Sequence, residues 1–171
     1  NAQGFQMNLA EKWAQDSSSF VRAHLAASLR TKTWEEKQEL LLTLCGSAPF
    51  EDRVYLEALG LGAGIHASEL FQELQRKWAK NSKEKLLPFA WRLKTEKSLP
   101  FLENLAANPN QELKNRRLAI DGLAFQPERS AAEIMIRIAL TGPEDTRDHA
   151  KWWLKQRSTN LWKDFGIQIQ Q

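Results

Sequence analysis

Arg116 is followed by a small residue three places on, Ala119, and by an apolar one seven places on, Leu123. The same frame recurs at Arg22 (Leu25, Leu29), Arg53 (Leu56, Gly60) and Arg147 (Ala150, Leu154), with a degenerate copy at Glu84 (Leu87, Trp91). The start points 22, 53, 84, 116 and 147 are separated by steps of 31, 31, 32 and 31. A fixed period in the range of roughly 20–50 residues is the mark of a repeat array. A second frame lies between the copies of the first. Eighteen residues after a start point comes a large apolar residue: Leu40, Phe71, Leu102 and Ile134. Leu9 stands one period before Leu40, and Trp13 falls where Leu44 and Ile138 fall. Offsets of three and seven share one helical face. Each unit therefore reads as two helices, a B helix carrying the Arg frame and an A helix carrying the +18 residue, after an opening half repeat near 5–15.

Local signals agree with that division. Thr33-Trp34-Glu35-Glu36 and Ser130-Ala131-Ala132-Glu133 have the spacing of capping boxes, each at the start of an A helix. Pro49, Pro109 and Pro143 stand shortly before B helices, where a fixed φ and a missing N–H cost nothing. Asn81-Ser82 and Asn110 are expected N-caps, and Gly46 and Gly142 expected terminators of A helices. No segment alternates apolar and polar residues between turn signals, so no strand is expected. A two-helix unit of this length cannot bury its apolar face alone, whereas stacked units share a core. The signatures of tetratricopeptide and ankyrin units are missing. The expected fold is all-α: a right-handed α-α superhelix, a HEAT-like solenoid of about five two-helix repeats, spanning residues 1–171 as a single domain.

Composition narrows the function less than the fold. The 171 residues are 42% hydrophobic and 26% charged, globular values rather than those of a disordered chain. Twenty-four basic residues against 21 acidic ones leave a net charge of +3, a weak argument for a nucleic-acid or anionic-membrane partner. One cysteine, Cys45, excludes an internal disulfide framework, and its apolar surroundings, Leu40 to Leu44, mark it as a core thiol. No run approaches the ~18 apolar residues of a membrane span, and no signal peptide opens the chain. The first residues, Asn1-Ala2 without an initiator Met, are read as the start of a piece of a longer protein.

Candidate chemistry is sparse. Gly60-Leu61-Gly62-Ala63-Gly64 has the glycines of a phosphate loop, but it closes a B helix with neither a preceding strand nor a following Lys-Ser/Thr, so a helix C-cap is expected. His24, His66 and His149 have no ligand-type partner at metal spacing; no metal, cofactor or catalytic residue is expected. The frame arginines are expected to form a ladder, paired with acids or helix C-terminal carbonyls of the neighbouring unit. Trp13, Trp91 and Trp153 fall on core offsets. Trp152 falls off the stripe, alongside Phe89, Asp121 and the +8 residues Arg30, Arg92 and Lys155. The alternative to the ladder is a basic patch in which Lys114, Arg116 and Arg117 contact phosphates. Arg30, Phe89, Arg92, Arg117, Asp121, Trp152 and Lys155 are the candidates for a binding face on the B helices, with the aromatic and Arg content of interface hot spots; packing beneath neighbouring units is the alternative for each.

Three stretches carry a family resemblance: Tyr55-Leu56-Glu57-Ala58-Leu59-Gly60-Leu61-Gly62-Ala63, Phe89-Ala90-Trp91-Arg92-Leu93-Lys94 with Leu99-Pro100-Phe101-Leu102, and Arg116-Arg117-Leu118-Ala119-Ile120-Asp121-Gly122-Leu123-Ala124-Phe125-Gln126. Over about residues 17–157 the chain resembles the HEAT-like region of large bacterial membrane-bound-dehydrogenase-type proteins. There the region lies between a sugar-dehydrogenase-like β-propeller and a cytochrome c domain. The chain has no Cys-x-x-Cys-His, so it carries no haem, and no propeller residue has a counterpart here. The resemblance implies a non-catalytic scaffold in an exported, periplasm-type protein, with the flanking domains or another protein as partner. No small-molecule substrate and no membrane contact by this segment are expected. A nucleic-acid-binding HEAT-like array, akin in fold to the alkylpurine glycosylases, is the second expectation, though Glu57, Asp121 and Asp148 interrupt its basic face. A stand-alone enzyme is the third.

Overall fold

The computed structural model describes residues 9–78 and 85–167. After a helical segment at 9–14, their regular structure is α1 (Ser19–Ser28), α2 (Trp34–Gly46), α3 (Arg53–Ala63), α4 (Ala67–Trp78), α5 (Leu86–Leu93), α6 (Leu99–Ala107), α7 (Leu113–Ala124), α8 (Arg129–Thr141) and α9 (Glu144–Arg157). Short 3-10 turns lie between or after these helices, and no strand occurs among the described residues. No helix of the described residues is long and apolar enough to cross a membrane.

The chain divides into two compact units, residues 1–93 and 94–171. In the first, α1 lies beside α3 and α3 beside α5, while α2 packs on α4. In the second, α7 lies beside α9 and α6 beside α8. B helices thus neighbour B helices and A helices neighbour A helices, which makes two layers within each unit. The apolar stripes meet between the layers. Leu25, Leu56, Leu87, Ala119 and Ala150 of the B frame are all buried, as are Leu40, Phe71, Leu102 and Ile134 of the A frame. Leu9 is only half-buried, and Trp13, expected in the core, is 46% exposed while Ala14 beside it is buried. Counting 31 residues back from Leu44 reaches Trp13, but the inward-facing side chain there is that of the next residue.

Thr33 caps α2 as expected: its Oγ1 accepts from the Glu36 N–H, and the Glu36 carboxylate accepts from the Thr33 N–H at 2.8 Å. That backbone donor holds the Glu36 carboxyl below its usual range. Ser130 does not cap α8. The helix already begins at Arg129 after Glu128, and Glu133 pairs with Arg129 four residues back. Asn110 does not cap α7 either; its N–H donates to Asn108 Oδ1 in a local turn, and Glu112 occupies the N-cap. Gly46 and Gly142 end α2 and α8 as expected. Asn81, Ser82 and Glu84 lie outside the described residues.

Between α2 and α3 lies a contact that periodicity does not announce. Lys37 of α2 is fully buried, and its ammonium donates to the carbonyls of Gly62 and Ala63 at 2.8 and 2.9 Å. These are orphan acceptors at the C-terminus of α3, where the helix dipole favours a cation. Burial pulls the Lys37 pKa down, and Glu69 opposes that shift. The expected C-cap falls on Gly64, whose φ of 55° and ψ of −126° suit glycine.

The frame arginines share a local habit. Arg22 Nη1, Arg116 Nε and Arg147 Nε each donate to the carbonyl five residues upstream: Ser17, Gln111 and Gly142 at 3.1, 3.1 and 2.7 Å. Each side chain thereby folds back over the turn that leads into its own helix. Arg22 also reaches Ser47 at the end of α2, and Arg116 makes a two-pronged bond to Asp145 of α9, 2.6 Å on each side. Arg53 departs from the pattern, its side chain 79% exposed and no closer than 4.0 Å to Glu57.

The Arg116 guanidinium holds Asp145 below the usual carboxylate range, its hydrogen bond outweighing the opposing effect of burial. With the folded value below the unfolded one, near 3.9, the pair stabilises the fold above that pH. The contribution is lost as pH falls through the folded value. Asp145→Asn should therefore lower the thermal midpoint at neutral pH and leave it unchanged in strong acid, flattening the acid limb of the profile below about pH 5. Two parallel profiles would show that the pair has no part in the acid transition.

The C-terminal segment departs furthest from expectation. Phe165 stands eighteen residues after Arg147, and that spacing predicts a sixth A helix beginning near Thr159-Asn160 and laying Leu161, Trp162 and Phe165 over the preceding unit; it does not form. Instead Ser158, Thr159 and Asn160 turn their side chains back onto the carbonyls of Lys155 and Gln156. These bonds satisfy the end of α9 and compete with its continuation. Only Trp162 enters the core; Leu161 is exposed and Phe165 half-buried in a 3-10 turn, Lys163–Phe165. Gly166 ends that turn in the left-handed region, and Ile167 is half-buried. Ile169 lies outside the described residues.

Candidate functional site

The seven candidate residues fall into both units. Arg30, Phe89 and Arg92 belong to residues 1–93, and Arg117, Asp121, Trp152 and Lys155 to residues 94–171. In the first unit, Arg30 is exposed in the 3-10 turn after α1. Phe89 is not available for binding: it is fully buried, edge-on to Phe50 and 5.5 Å from Trp78. The two-residue step from Leu87 to Phe89 carried it away from the stripe on a helical wheel, but rings on both flanks enclose it. Arg92 is largely covered, ion-paired with Glu57 and stacked on Trp91 at 4.5 Å.

In the second unit the candidates meet others that spacing did not single out. Asp121 projects from α7 toward α9, where its Oδ1 receives two bonds, from His149 Nε2 at 2.7 Å and from Trp153 Nε1 at 2.6 Å. His149 and Trp153 are four residues apart and so lie on one face of α9. One carboxylate oxygen thus ties two successive turns of α9 to α7. The Trp153 ring, half-buried, is edge-on to Phe125 at 5.4 Å and to Trp152 at 4.8 Å. Arg157, four residues further along α9, lays its guanidinium over Phe125 at 4.4 Å and over Trp153 at 4.7 Å. Trp152 stands at the outer edge of this stack, 52% exposed, with Lys155 and Arg117 exposed in the same unit.

The signal that could have found this cluster is the series His149, Trp153, Arg157, a single face stepped by fours. What it lacks is any hint that Asp121, 28 residues upstream of His149, completes it. The arrangement is suited to holding a surface rigid. Asp121 and His149 form a hydrogen-bonded pair, and among the described residues no Ser, Thr or Cys is one of the groups they bond. Among the described residues no group of three His, Cys, Asp or Glu side chains could hold a metal ion. Burial pushes the Cys45 thiol well up, which leaves it unreactive. A groove of about 390 Å³ in the second unit, between α6 and α8, is open to solvent; its charged groups, Glu103 and Arg137, are already paired across it at 2.6 Å.

No family model, no curated protein and no solved structure matches this chain. The functional reading therefore starts from the α7–α9 face itself.

Proposed function

We propose that the chain is a non-catalytic α-helical scaffold and docking domain, a HEAT-like solenoid of about five two-helix repeats within a membrane-bound-dehydrogenase-type multidomain protein. The burial of nine of the ten residues at the +3 and +18 positions, all but Leu9, supports the repeat reading. The observation that carries the docking reading is Trp152. A half-exposed indole is an unfavourable surface group unless something covers it, and this one is held edge-on against a neighbour that Asp121 fixes in place. Large aromatics with arginine, pre-ordered before contact, are the residues that dominate binding energy at interfaces.

Amide exchange tests the reading when this chain alone is compared with the longest polypeptide that contains it. Slower exchange in the longer protein is expected across 117–125 and 148–157, with little change around α2 and α4. Protection that spares α7 and α9 would remove the docking role. A second reading, a nucleic-acid-binding array, is favoured by the nearness of Lys151 and Lys155 to Trp152 in sequence. It requires a salt-dependent shift of duplex DNA, and no binding at low ionic strength would dispose of it.

A further inference from the structure

We infer that the C-terminal half of α9 receives an acidic segment of a partner protein, with a carboxylate on Arg157 and a neighbouring apolar side chain on Trp152. The inference rests on the docking reading and adds the chemistry of the partner. Arg157 is the key. Its guanidinium rests against both Phe125 and Trp153, its Nε is buried with no hydrogen-bond partner, and Nη1 reaches only Asn160 Oδ1, at 3.5 Å. No carboxylate pairs with it among the described residues, although frame residue Arg116 and candidate Arg92 both have one. A cation held partly out of water without an anion carries a desolvation cost that an incoming carboxylate offsets, and a planar guanidinium offers that carboxylate two parallel donors.

The surroundings extend the same preference. Lys151-Trp152-Trp153-Leu154-Lys155-Gln156-Arg157 contains three cations and no acid. Lys155 is exposed and unpaired among the described residues, and Lys151 meets only Asp148, at 3.5 Å. Trp152 provides the apolar surface beside these charges. A nucleic acid fits less well. Duplex DNA presents a charge about every 1.7 Å, and along α9 it would run against Glu144, Asp145 and Asp148, the last 97% exposed. A short acidic segment needs only the last two turns.

The test titrates the intact chain with two synthetic peptides that share an apolar sequence around one phenylalanine, flanked by glutamates in one and by lysines in the other. A single-stranded oligothymidylate is the third probe, and tryptophan fluorescence the readout. The glutamate peptide is expected to bind preferentially, less tightly as salt rises. Arg157→Gln should weaken it about tenfold and Lys155→Gln about threefold. Lys155 is exposed and takes no part in packing, so its variant should keep the wild-type thermal midpoint and remain informative if Arg157→Gln unfolds. Equal affinity for the two peptides, tighter binding of oligothymidylate, or indifference to Lys155→Gln would each overturn the inference. If amide protection in the longer protein still falls on α7 and α9, the docking role stands and only the acidic partner is lost; if protection is absent there, both fall.

Discussion

Gly62→Ala should destabilise the protein by about 3 kcal/mol or more, the reverse of what replacing a helical glycine by alanine does in isolation. A methyl group at Gly62 would collide with the Ala26 carbonyl oxygen of α1, lie 3.0 Å from its carbon, and press the Leu41 side chain at 3.3 Å. The first two are backbone atoms and cannot swing aside. Helices α1 and α3 would have to separate, and the move would pull the Gly62 and Ala63 carbonyls away from the Lys37 ammonium, which has no other hydrogen-bond partner among the described residues. A buried cation left short of acceptors adds its own desolvation cost. Gly60→Ala is the control. Its added methyl meets the Arg92 side chain at 3.3 Å and no backbone atom closer than 3.9 Å, so the change should stay within about 1 kcal/mol, the size of the gain in helix propensity. Urea unfolding of both variants decides the matter: equal midpoints would mean that α1 and α3 do not approach as closely as described.

Trp162→Ala should cost about 3–5 kcal/mol, the range for emptying a buried aromatic site. Trp162 is completely buried, and its Nε1 donates to the Gln126 carbonyl at 2.9 Å just beyond the end of α7. Gln126 in turn donates from Nε2 to Ser98 Oγ at 3.4 Å, so the indole completes a chain of polar contacts that is closed to water. Truncation leaves a cavity and removes the donor that the Gln126 carbonyl has in the native state. The segment 158–167, which the indole anchors, should then exchange its amides faster than the rest of the second unit. Leu161→Ala, one residue away and exposed, should cost less than about 0.5 kcal/mol. If the two substitutions proved equivalent, the C-terminal segment would not belong to the folded core.

The helical class, the approximate positions of α1 to α9 and their inward residues at the +3 and +18 positions were legible in the sequence. A repeated spacing of three and seven places apolar residues on one side of a helix whatever its neighbours are. Leu56 and Leu102 could be identified as core residues on that basis, and the Thr33 cap could be read from four consecutive residues because a cap is a local bond. Tertiary structure decided everything that depends on the flanks of the stripe. Phe89 and Trp152 look alike by offset, yet rings from Phe50 and Trp78 close over the first while the other stays 52% exposed. Spacing along one helix does not say how far the next helix is rotated, and that rotation determines which flank is covered. The acid partner of His149, the carbonyl partners of Lys37 and the closeness of Gly62 to Ala26 each join residues 25 to 36 positions apart. Such contacts arise only once two stripes have packed. The periodicity identifies the surfaces that meet, and the geometry of their meeting selects the polar groups that are brought together at the edges.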